Sequence, residues 1–307
     1  MAKVLVATEK PFHPRGVKKM KEIFKNEGYE AIFLEKYSDV SELIDKIKDA
    51  EGLIVRSDKV TEEIINNAPN LKVIVRAGAG YDNIDLKKAS DKNIVAMNTP
   101  GQNSNAVAEL ALGMMIYFAR NKFNGTSGTE LRDKTLGIHA YGNVGRIVGD
   151  IAQGFGMTVY GFDPYVPDNL MKKEGVIPVQ KSLDLYKNSQ FVSLNIPANE
   201  KTRHSINHKL LTEMPEHAVL VNTARKEVIN EDDLLKVFKE REDFYYLSDI
   251  KPDCHDELIK NYEDRVFFTP KKMGAQTVEA NINAGVAAAN QVIGFIERDD
   301  RTFQVNE

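Results

Sequence analysis

The sequence predicts an α/β fold with two parallel sheets that carry helices on both faces. Short apolar segments alternate with amphipathic segments along most of the chain, as parallel strands joined by helices do. The length of 307 residues suffices for roughly two domains, each with its own core. A strand, a glycine-containing turn, a helix and a second strand that ends on an acid follow one another from Leu136 to Asp163.

The N-terminal third of the chain carries the first set of strands and helices. Charged segments with the helical period, such as Gly16–Asn26 and Ser41–Asp49, separate short apolar runs. These runs predict strands near Val4–Ala7, Ala31–Leu34, Leu53–Val55, Val73–Val75 and Ile94–Ala96.

A long helix is predicted from just after Pro100 to about Asn121. Its apolar positions are Val107, Leu110, Ala111, Met114, Met115 and Phe118. The small and Met-rich surface over residues 102–120 favours core packing for most of these positions. A subunit interface is the second interpretation, because exposed apolar stripes mark association. The polar segment Phe123–Thr135 then predicts a surface arm.

The second set of strands follows this arm. Its apolar runs predict strands near Leu136–Ala140, Thr158–Phe162, Phe191–Leu194, Ala218–Val221, Phe244–Ser248 and Val266–Phe268. A further long helix, rich in Ala and Asn, is predicted from Gln276 to about Ile296. No low-complexity or Pro-rich linker separates the two sets, so we expect the chain to pass between them on the long helices.

The turn after the first strand of the second set has the spacing of a dinucleotide-binding loop. The usual form G-x-G-x-x-G is here Ala140-Tyr141-Gly142-Asn143-Val144-Gly145, so the first glycine is replaced. Gly142 lets the backbone approach the pyrophosphate, and Gly145 lets the helix and strand pack closely. Ala140 is tolerated if its φ stays negative, because a positive φ penalises a Cβ atom.

An acid completes the pattern. Asp163 lies 18 residues beyond Gly145, near the distance of about 20 residues at which an acid binds the adenosine ribose. Pro164 and Tyr165 follow it, and neither could receive a 2′-phosphate as Arg or Lys would. The expected cofactor is therefore NAD(H) rather than NADP(H).

These patterns predict two Rossmann-like or flavodoxin-like domains. A NAD-binding domain over residues 100–279 is expected to be inserted in a substrate-binding domain, which comprises residues 1–99 and 280–307. The C-terminal helix would close the second of these domains.

The composition limits the partners and the location. The net charge of −4, from 41 basic and 45 acidic residues, gives no reason to expect nucleic acid or an anionic membrane. A single cysteine, Cys254, excludes an internal disulfide and a cysteine-rich metal site, and no metal is expected. The first ten residues predict a strand rather than a signal peptide, and the longest apolar run, Leu110–Ala119, is too short to span a bilayer. We expect a cytoplasmic protein.

Hydride transfer between a nicotinamide and a hydroxy acid needs a cation and a general acid or base. The cation holds the substrate carboxylate and polarises the carbonyl oxygen, and the acid or base exchanges the hydroxyl proton. Arg225 is the best candidate for the cation, because it directly follows an apolar strand, at the carboxyl end where open α/β sheets bind ligands.

Six motifs, among them the turn at 140–145 and the segment that ends at Arg225, lie in order along nearly the whole chain. They are Val55–Ser57, Arg76–Asp85, Met97–Gly101, the turn at 140–145, Asn222–Arg225, and Thr269–Pro270 followed by Gly274–Thr277. This ordered set resembles the D-2-hydroxyacid dehydrogenase family.

The resemblance implies a role for several residues. Arg225 would be the catalytic arginine, and Asp249 would contact the nicotinamide carboxamide. Other residues implied to lie beside the cofactor are Asn195, Ile196, Pro197, Thr223 and Ala224. Residues implied to hold the substrate are Arg56, Ser57, Arg76, Ala77, Gly78, Ala79 and Gly80, with polar contacts from Gln102 and Asn103.

Two departures from the family pattern concern proton transfer. The family has a glutamate about five residues after the equivalent of Asp249, and this chain has Cys254. The family has a histidine after Thr-Pro, and this chain has Lys271 and Lys272. The two losses fit together, because the glutamate serves to orient and charge the imidazole.

We therefore expect Lys271 or Lys272 to donate the proton in reduction and to accept it in oxidation. Counting forward from Thr269-Pro270 selects Lys271, and counting back from Gly274 selects Lys272. A free lysine has a pKa of about 10.4, too high for an efficient base at neutral pH. Nearby Arg225 and burial under a closed cleft would lower it. The alternative is that the lysines only bind a substrate anion.

Three other residues are weaker candidates for this chemistry. His255 lies in a polar run that we expect to be solvated, and His139 lies inside a strand, where packing is the simpler role. Cys254 has no evident partner for nucleophilic chemistry.

Two arginines follow neighbouring strands of the first set. Arg56 and Arg76 could therefore project from the same sheet edge, and Lys59 could add to their charge. Paired guanidinium groups with backbone N–H groups suit a phosphate or a carboxylate. A small phosphorylated hydroxy acid fits better than an apolar acid.

The resemblance, to the short and lysine-bearing members in particular, implies interconversion of 3-phosphoglycerate and 3-phosphohydroxypyruvate with NAD, at the first step of serine synthesis. We also expect a homodimer. A glyoxylate or hydroxypyruvate reductase, or another D-2-hydroxyacid reductase, is the alternative enzyme. A non-catalytic NAD(H)-sensing interaction protein is the alternative from another class, because the usual histidine and glutamate are missing. The chain ends at Glu307, so we expect no additional C-terminal regulatory domain.

Overall fold

The computed structural model describes residues 2–307, which form two compact units. The discontinuous unit comprises Met1–Asn103 and Ala275–Glu307, and the continuous unit comprises Ser104–Gly274. Each unit contains one parallel sheet, of five and seven strands respectively. The predicted α/β fold with two parallel sheets is confirmed.

The discontinuous unit alternates strands and helices from its first described residues. Its N-terminal elements are β1 (Lys3–Thr8), α1 (Pro14–Asn26), β2 (Glu30–Glu35), α2 (Val40–Ile47), β3 (Gly52–Val55), α3 (Glu62–Asn66), β4 (Val73–Arg76), α4 (Leu86–Asp91) and β5 (Val95–Asn98). The strand order is β2-β1-β3-β4-β5, with all pairs parallel. This is the flavodoxin-like order, in which ligands bind at the carboxyl ends of the strands.

The continuous unit contains the longer sheet. Its elements are α5 (Ser104–Ala119), β6 (Thr135–His139), α6 (Asn143–Gly154), β7 (Thr158–Phe162), α7 (Asp168–Lys173), β8 (Ile177–Pro178), α8 (Ser182–Lys187), β9 (Phe191–Leu194), α9 (His208–Thr212), β10 (Val219–Asn222), α10 (Glu231–Glu240), β11 (Tyr245–Ser248), α11 (His255–Tyr262) and β12 (Val266–Phe268). The order β12-β11-β10-β9-β6-β7-β8 is the Rossmann order with one added strand. The last helix, α12 (Val278–Arg298), returns to the discontinuous unit.

Alternate side chains of each strand fill cores on the two faces of each sheet. In β1, Val4 and Val6 pack with α1 and α12, whereas Leu5 and Ala7 pack with the helices of the opposite face. This arrangement buries both faces of a parallel sheet, which explains why the strands are nearly uniform apolar runs. No helix within residues 2–307 is long and apolar enough to cross a membrane.

One local expectation needed correction, and one short strand was not expected. Helix α5 begins at Ser104 rather than directly after Pro100, because Gly101 adopts a left-handed φ of 83° and continues the turn. The short strand β8 was not predicted, since its two residues include a proline. Within α5, Ala111, Met114 and Met115 are buried in the chain's own core, as expected.

His139 ends β6 and is buried beside Tyr186. Its Nδ1 lies 3.1 Å from the Tyr186 hydroxyl, and its ring packs edge-on against Phe162. Burial lowers the pKa of His139 to about 4, although the negative charge of Asp163 opposes this effect. The role of a packed strand residue, expected from the sequence, is confirmed.

We predict that His139 makes the protein less stable as the pH falls. The unfolded histidine, with a pKa near 6.5, binds a proton between pH 6.5 and 4, whereas the folded one does not. Stability should therefore fall by about 2 kcal/mol from pH 7.5 to pH 5. Urea unfolding of the wild type and His139→Gln at both pH values measures this, because glutamine keeps an acceptor for Tyr186. An equal pH dependence in both proteins would contradict the prediction.

Candidate active site

The glycine-containing turn lies at the carboxyl end of β6 in the continuous unit. Gly142 is the N-cap residue of α6, and nothing lies within 4 Å of the Cβ position that it lacks. A Cβ atom on Gly145 would collide with the carbonyl oxygen of Ala140 and would lie 2.9 Å from Ile138 Cγ2. The turn therefore combines close helix–strand packing with open space at a helix N-terminus, where backbone N–H groups and the helix dipole favour an anion.

Ala140 does not have the negative φ that would make it strain-free in this turn. Its φ is 75°, in the left-handed region, and its N–H donates to the carbonyl oxygen of Phe162 at 2.9 Å. The backbone thus keeps the conformation that a glycine would adopt at the first position of the loop. A Cβ atom in this region costs about 1–2 kcal/mol.

Asp163 directly follows β7 and lies against this turn. One carboxylate oxygen accepts the N–H of Tyr141 and the other accepts the N–H of Tyr165, both at 2.8 Å. The acid is therefore fixed at the edge of the turn, next to the open space at Gly142.

The side chain of Tyr141 points into the protein. Its hydroxyl donates to Glu174 at 2.9 Å, and Glu174 also forms an ion pair with Arg146. Tyr141 therefore contributes only its backbone to the surface of the turn. Val144 is half-buried and packs on the core, whereas Gly142 and Asn143 are exposed.

Three buried polar atoms follow three neighbouring strands without a hydrogen-bond partner. They are Asn195 Oδ1 after β9, Thr223 Oγ1 after β10 and Asp249 Oδ1 after β11. Buried polar atoms in proteins are almost always paired, so three such atoms along one sheet edge indicate a missing polar ligand. All three belong to the residues implied by the family resemblance to lie beside the cofactor. Ile196, next to Asn195, is buried, and Pro197 is exposed.

Asp249 is the most buried acid at this edge, with 1% of its surface exposed. Its Oδ2 accepts the N–H groups of Gly274 at 2.8 Å and Met273 at 3.3 Å. Burial raises the pKa of Asp249, while these N–H groups and the charges of Lys272 and Arg225 act in the opposite direction. Asp249 therefore ties the segment after β12 to the edge of the sheet.

Arg225 and Lys272 meet at one carbonyl oxygen. Arg225 Nη1 donates to the oxygen of Ala224 at 2.8 Å, and Lys272 Nζ lies 3.4 Å from the same atom. The structure thus brings a guanidinium and an ammonium group together, close to Asp249. Of the two lysines, Lys272, the position obtained by counting back from Gly274, lies beside Arg225.

Lys271 has a different environment. Its backbone oxygen accepts the hydroxyl of Thr269 at 2.8 Å, which fixes the backbone but not the amine. Both Lys271 and Lys272 are exposed, so the burial expected for the acid or base is absent in this structure.

Cys254 is held by an acid from another element. Its N–H donates to Glu231 at 2.7 Å, and burial together with the Glu231 carboxylate raises the pKa of the thiol. A protonated thiol is a poor nucleophile. His255 begins α11 and its Nδ1 contacts Asp256 at 2.7 Å, while its ring packs on Phe268, so it is partly buried rather than fully solvated.

A pocket of about 120 Å³ lies within the discontinuous unit, at the carboxyl ends of β3 and β4. It contains six of the predicted substrate residues together with four from α12 and the segment before it. Its lining is Arg56, Ser57, Arg76, Ala77, Gly78, Asn103, Ala275, Ala280, Asn281 and Ala284. Ala79, Gly80 and Gln102 do not line it.

The two arginines of this pocket are held by backbone oxygens. Arg56 Nη1 donates to Lys10 and Pro11, each at 2.9 Å, and Arg76 Nε donates to the oxygen of Arg56 at 3.0 Å. Burial lowers the pKa of Arg56, which nevertheless stays charged. The pocket therefore has fixed positive charge for a small anion.

The sequence interpretation missed Asp58, which shapes this pocket. Its buried carboxylate accepts the N–H of Arg56 at 3.1 Å, the N–H of Glu9 at 2.6 Å and the hydroxyl of Tyr37 at 3.0 Å. Its position two residues after Arg56 at a strand end was the available signal. Asn281, a pocket residue that lies far away in sequence, had no such signal.

Comparison with known proteins identifies the class of this chain. Residues 107–270 match the family described as D-isomer specific 2-hydroxyacid dehydrogenase, NAD binding domain. The chain is similar to the crystal structure of NAD⁺-bound 3-phosphoglycerate dehydrogenase from Entamoeba histolytica, with 44% identity and a TM-score of 0.87 over 100% of this chain and 99% of that one.

Two curated relatives are similar to most of this chain but are covered to different extents themselves. D-3-phosphoglycerate dehydrogenase of Methanocaldococcus jannaschii is 37% identical over 95% of this chain and 57% of its own length. Hydroxypyruvate reductase of Thermotoga maritima is 37% identical over 82% of this chain and 86% of its own length. The chain thus spans little more than half of the first relative and most of the second.

We predict that Ala140→Gly stabilises the protein. Glycine removes the strain of the left-handed φ, and the gain exceeds the entropy cost of glycine, so stability should rise by about 1 kcal/mol. Denaturant unfolding measures the change. The matched control is Ala287→Gly in α12, a helical position where glycine should cost about 1 kcal/mol. A loss of stability in both variants would contradict the prediction.

Proposed function

Because this chain belongs to the D-isomer-specific 2-hydroxyacid dehydrogenase family, we propose that it interconverts 3-phosphoglycerate and 3-phosphohydroxypyruvate with NAD. The names of two similar proteins, from Entamoeba histolytica and Methanocaldococcus jannaschii, support the substrate. The observation that carries the proposal is the pair of cations, Arg225 and Lys272, on the carbonyl oxygen of Ala224.

The continuous unit holds the cofactor in this proposal. The helix N-terminus at Gly142 receives the pyrophosphate, and Asp163 receives the ribose hydroxyl groups. The unpaired oxygens after β9, β10 and β11 would hold the nicotinamide side of the cofactor, and Asp249 Oδ1 would accept a hydrogen bond from the carboxamide. NAD bound there supplies the hydride acceptor for the alcohol and, when reduced, the hydride donor for the ketone.

In this proposal, Arg225 binds the substrate and Lys272 transfers its proton. The guanidinium of Arg225 binds the carboxylate of the substrate and polarises the oxygen of its carbonyl group. In reduction, the Lys272 ammonium donates its proton to that oxygen, and in oxidation the neutral amine takes the hydroxyl proton back. The exposed Lys271 takes no part in this transfer.

The discontinuous unit binds the phosphate in this proposal. Arg56 and Arg76 provide two guanidinium groups in a pocket whose backbone is fixed by Asp58. Charge-assisted hydrogen bonds to a phosphate are worth about 1.5–3 kcal/mol each, which suffices to prefer a phosphorylated acid.

The alternative enzyme is a reductase of hydroxypyruvate, glyoxylate or another D-2-hydroxy acid. The Thermotoga maritima relative, named hydroxypyruvate reductase, favours it. The two reactions share the roles of Arg225 and Lys272 but differ in the need for a phosphate site. An NAD(H)-sensing protein without activity is disfavoured by the presence of both cations.

We also propose that the protein is a cytoplasmic homodimer that acts in serine synthesis. The proposal of a dimer draws on apolar residues of α5 that remain half-buried in the single chain, namely Leu110, Ile116 and Phe118. Sedimentation of the purified protein at two concentrations tests the dimer directly.

Steady-state assays of NADH oxidation test the reaction. With phosphohydroxypyruvate, kcat/KM should exceed the value for hydroxypyruvate and for glyoxylate by at least about tenfold, the effect of one charge-assisted bond. A preference for hydroxypyruvate would establish the alternative enzyme, and no oxidation of NADH with any of the three would contradict both.

We predict that Lys272→Met loses activity while Lys271→Met keeps it. Removal of the proton donor should lower kcat by about 10²–10⁴-fold, with NADH affinity retained. Lys271→Met is the matched control, because it removes the same charge from the next residue. Turnover near the wild-type value in Lys272→Met would refute the acid and base role.

We predict that Arg76→Met discriminates between substrates. The KM for phosphohydroxypyruvate should rise about 10–100-fold, the loss of one charge-assisted contact, whereas the KM for hydroxypyruvate should change less than about threefold. An equal rise for both substrates would show that Arg76 binds no phosphate.

A further inference from the structure

We propose that Asn222, a residue not assigned to the site above, positions Arg225 and, through the carbonyl group of Ala224, Lys272. This inference rests on the proposed function, because it concerns the groups that bind the substrate and move its proton. Asn222 is the last residue of β10 and is completely buried.

The side chain of Asn222 spans the turn that carries Arg225. Its Oδ1 accepts the N–H of Ala224 at 2.9 Å, and its Nδ2 donates to the carbonyl oxygen of Arg225 at 3.1 Å. The amide therefore fixes the peptide groups on both sides of the Ala224 carbonyl. The direction of this carbonyl group decides where the two cations meet.

A buried tyrosine holds the amide in this orientation. The second hydrogen of Nδ2 points to the hydroxyl of Tyr246, 3.3 Å away, and Tyr246 is itself completely buried. Burial raises the pKa of Tyr246, so the hydroxyl stays neutral and can accept this hydrogen bond. If the amide rotated by half a turn, its oxygen would face the carbonyl oxygen of Arg225 and its nitrogen would face the N–H of Ala224. Both mismatches are costly in a buried site.

The backbone of Asn222 connects the turn to the next strand. Its carbonyl oxygen accepts the Ser248 hydroxyl at 2.8 Å and the N–H of Asp249 at 3.4 Å. Both hydrogen bonds use the main-chain carbonyl of Asn222 and do not depend on its side-chain amide. A change of the Asn222 side chain should therefore misplace Arg225 and Lys272 while Asp249 keeps its place.

The experiment compares three variants with the wild type. Asn222→Asp keeps the acceptor for Ala224 but removes both hydrogens of Nδ2, and Tyr246→Phe removes only the tyrosine hydroxyl. Tyr186→Phe is the matched control, because Tyr186 is an equally buried tyrosine whose hydroxyl contacts His139 instead. We measure kcat and KM with phosphohydroxypyruvate, NADH affinity by fluorescence, the affinity of the NADH complex for oxalate, and thermal unfolding.

We expect a graded loss that spares the cofactor. Asn222→Asp should lower kcat/KM about 100-fold, as small misplacements of catalytic groups do, and should weaken oxalate binding about tenfold. Tyr246→Phe should lower kcat/KM about threefold to tenfold. Tyr186→Phe should leave kcat/KM within about twofold of the wild type despite a similar loss of stability. NADH affinity should change less than about threefold in Asn222→Asp and in Tyr246→Phe.

Three results would overturn the inference. They are wild-type kinetics in Asn222→Asp, equal losses in Tyr246→Phe and Tyr186→Phe, and a loss of NADH affinity as large as the loss of oxalate affinity. If Asn222→Asp fails to fold, the comparison of the two tyrosine variants decides. A wild type that binds oxalate but reduces none of the keto acids would contradict the proposed function, and oxalate binding would still test Asn222.

Discussion

The carboxylate of Asp249 is the interaction on which the rest of the candidate site in the continuous unit depends. One oxygen holds the backbone of Met273 and Gly274 against the sheet, which places Lys272 beside Arg225. The other oxygen is buried and unpaired, as a group reserved for a ligand would be. Burial disfavours the charge of Asp249, whereas the two cations favour it, so the three groups stabilise one another's positions.

The charges around the lysine explain why the chain lacks both the histidine and the glutamate that the family has. A carboxylate beside a histidine raises the basicity of the imidazole, whereas a carboxylate beside a lysine would hold the ammonium in its charged form. At position 254 the chain has a thiol, which the neighbouring Glu231 and burial keep protonated and neutral. A second carboxylate at this place would meet Glu231 and repel it. The replacement of both partners is therefore consistent on electrostatic grounds.

The discontinuous unit uses a different means to fix positive charge. Its two arginines donate to main-chain oxygens, which orient their guanidinium groups. The buried acid of this region, Asp58, binds backbone N–H groups and a tyrosine hydroxyl and thereby shapes the loop. Its carboxylate also raises the pKa of Arg56, against the effect of burial. The arginines donate to neutral main-chain oxygens and keep their positive charge, which attracts anions to the pocket.

The sequence by itself determined every described strand except β8, the helices α1, α2, α5 and α12, and the glycine-containing turn after β6, because hydrophobic period, glycine spacing and strand ends are local properties. It also selected Arg225 and Asp163, each of which directly follows a strand. Only the tertiary structure shows that the Lys272 amine lies beside Arg225, since this depends on the approach of Lys272 to the Ala224 oxygen, which follows another strand. It likewise revealed the φ of Ala140 and the network of Asn222 with Tyr246, because both arise from contacts between residues distant in sequence.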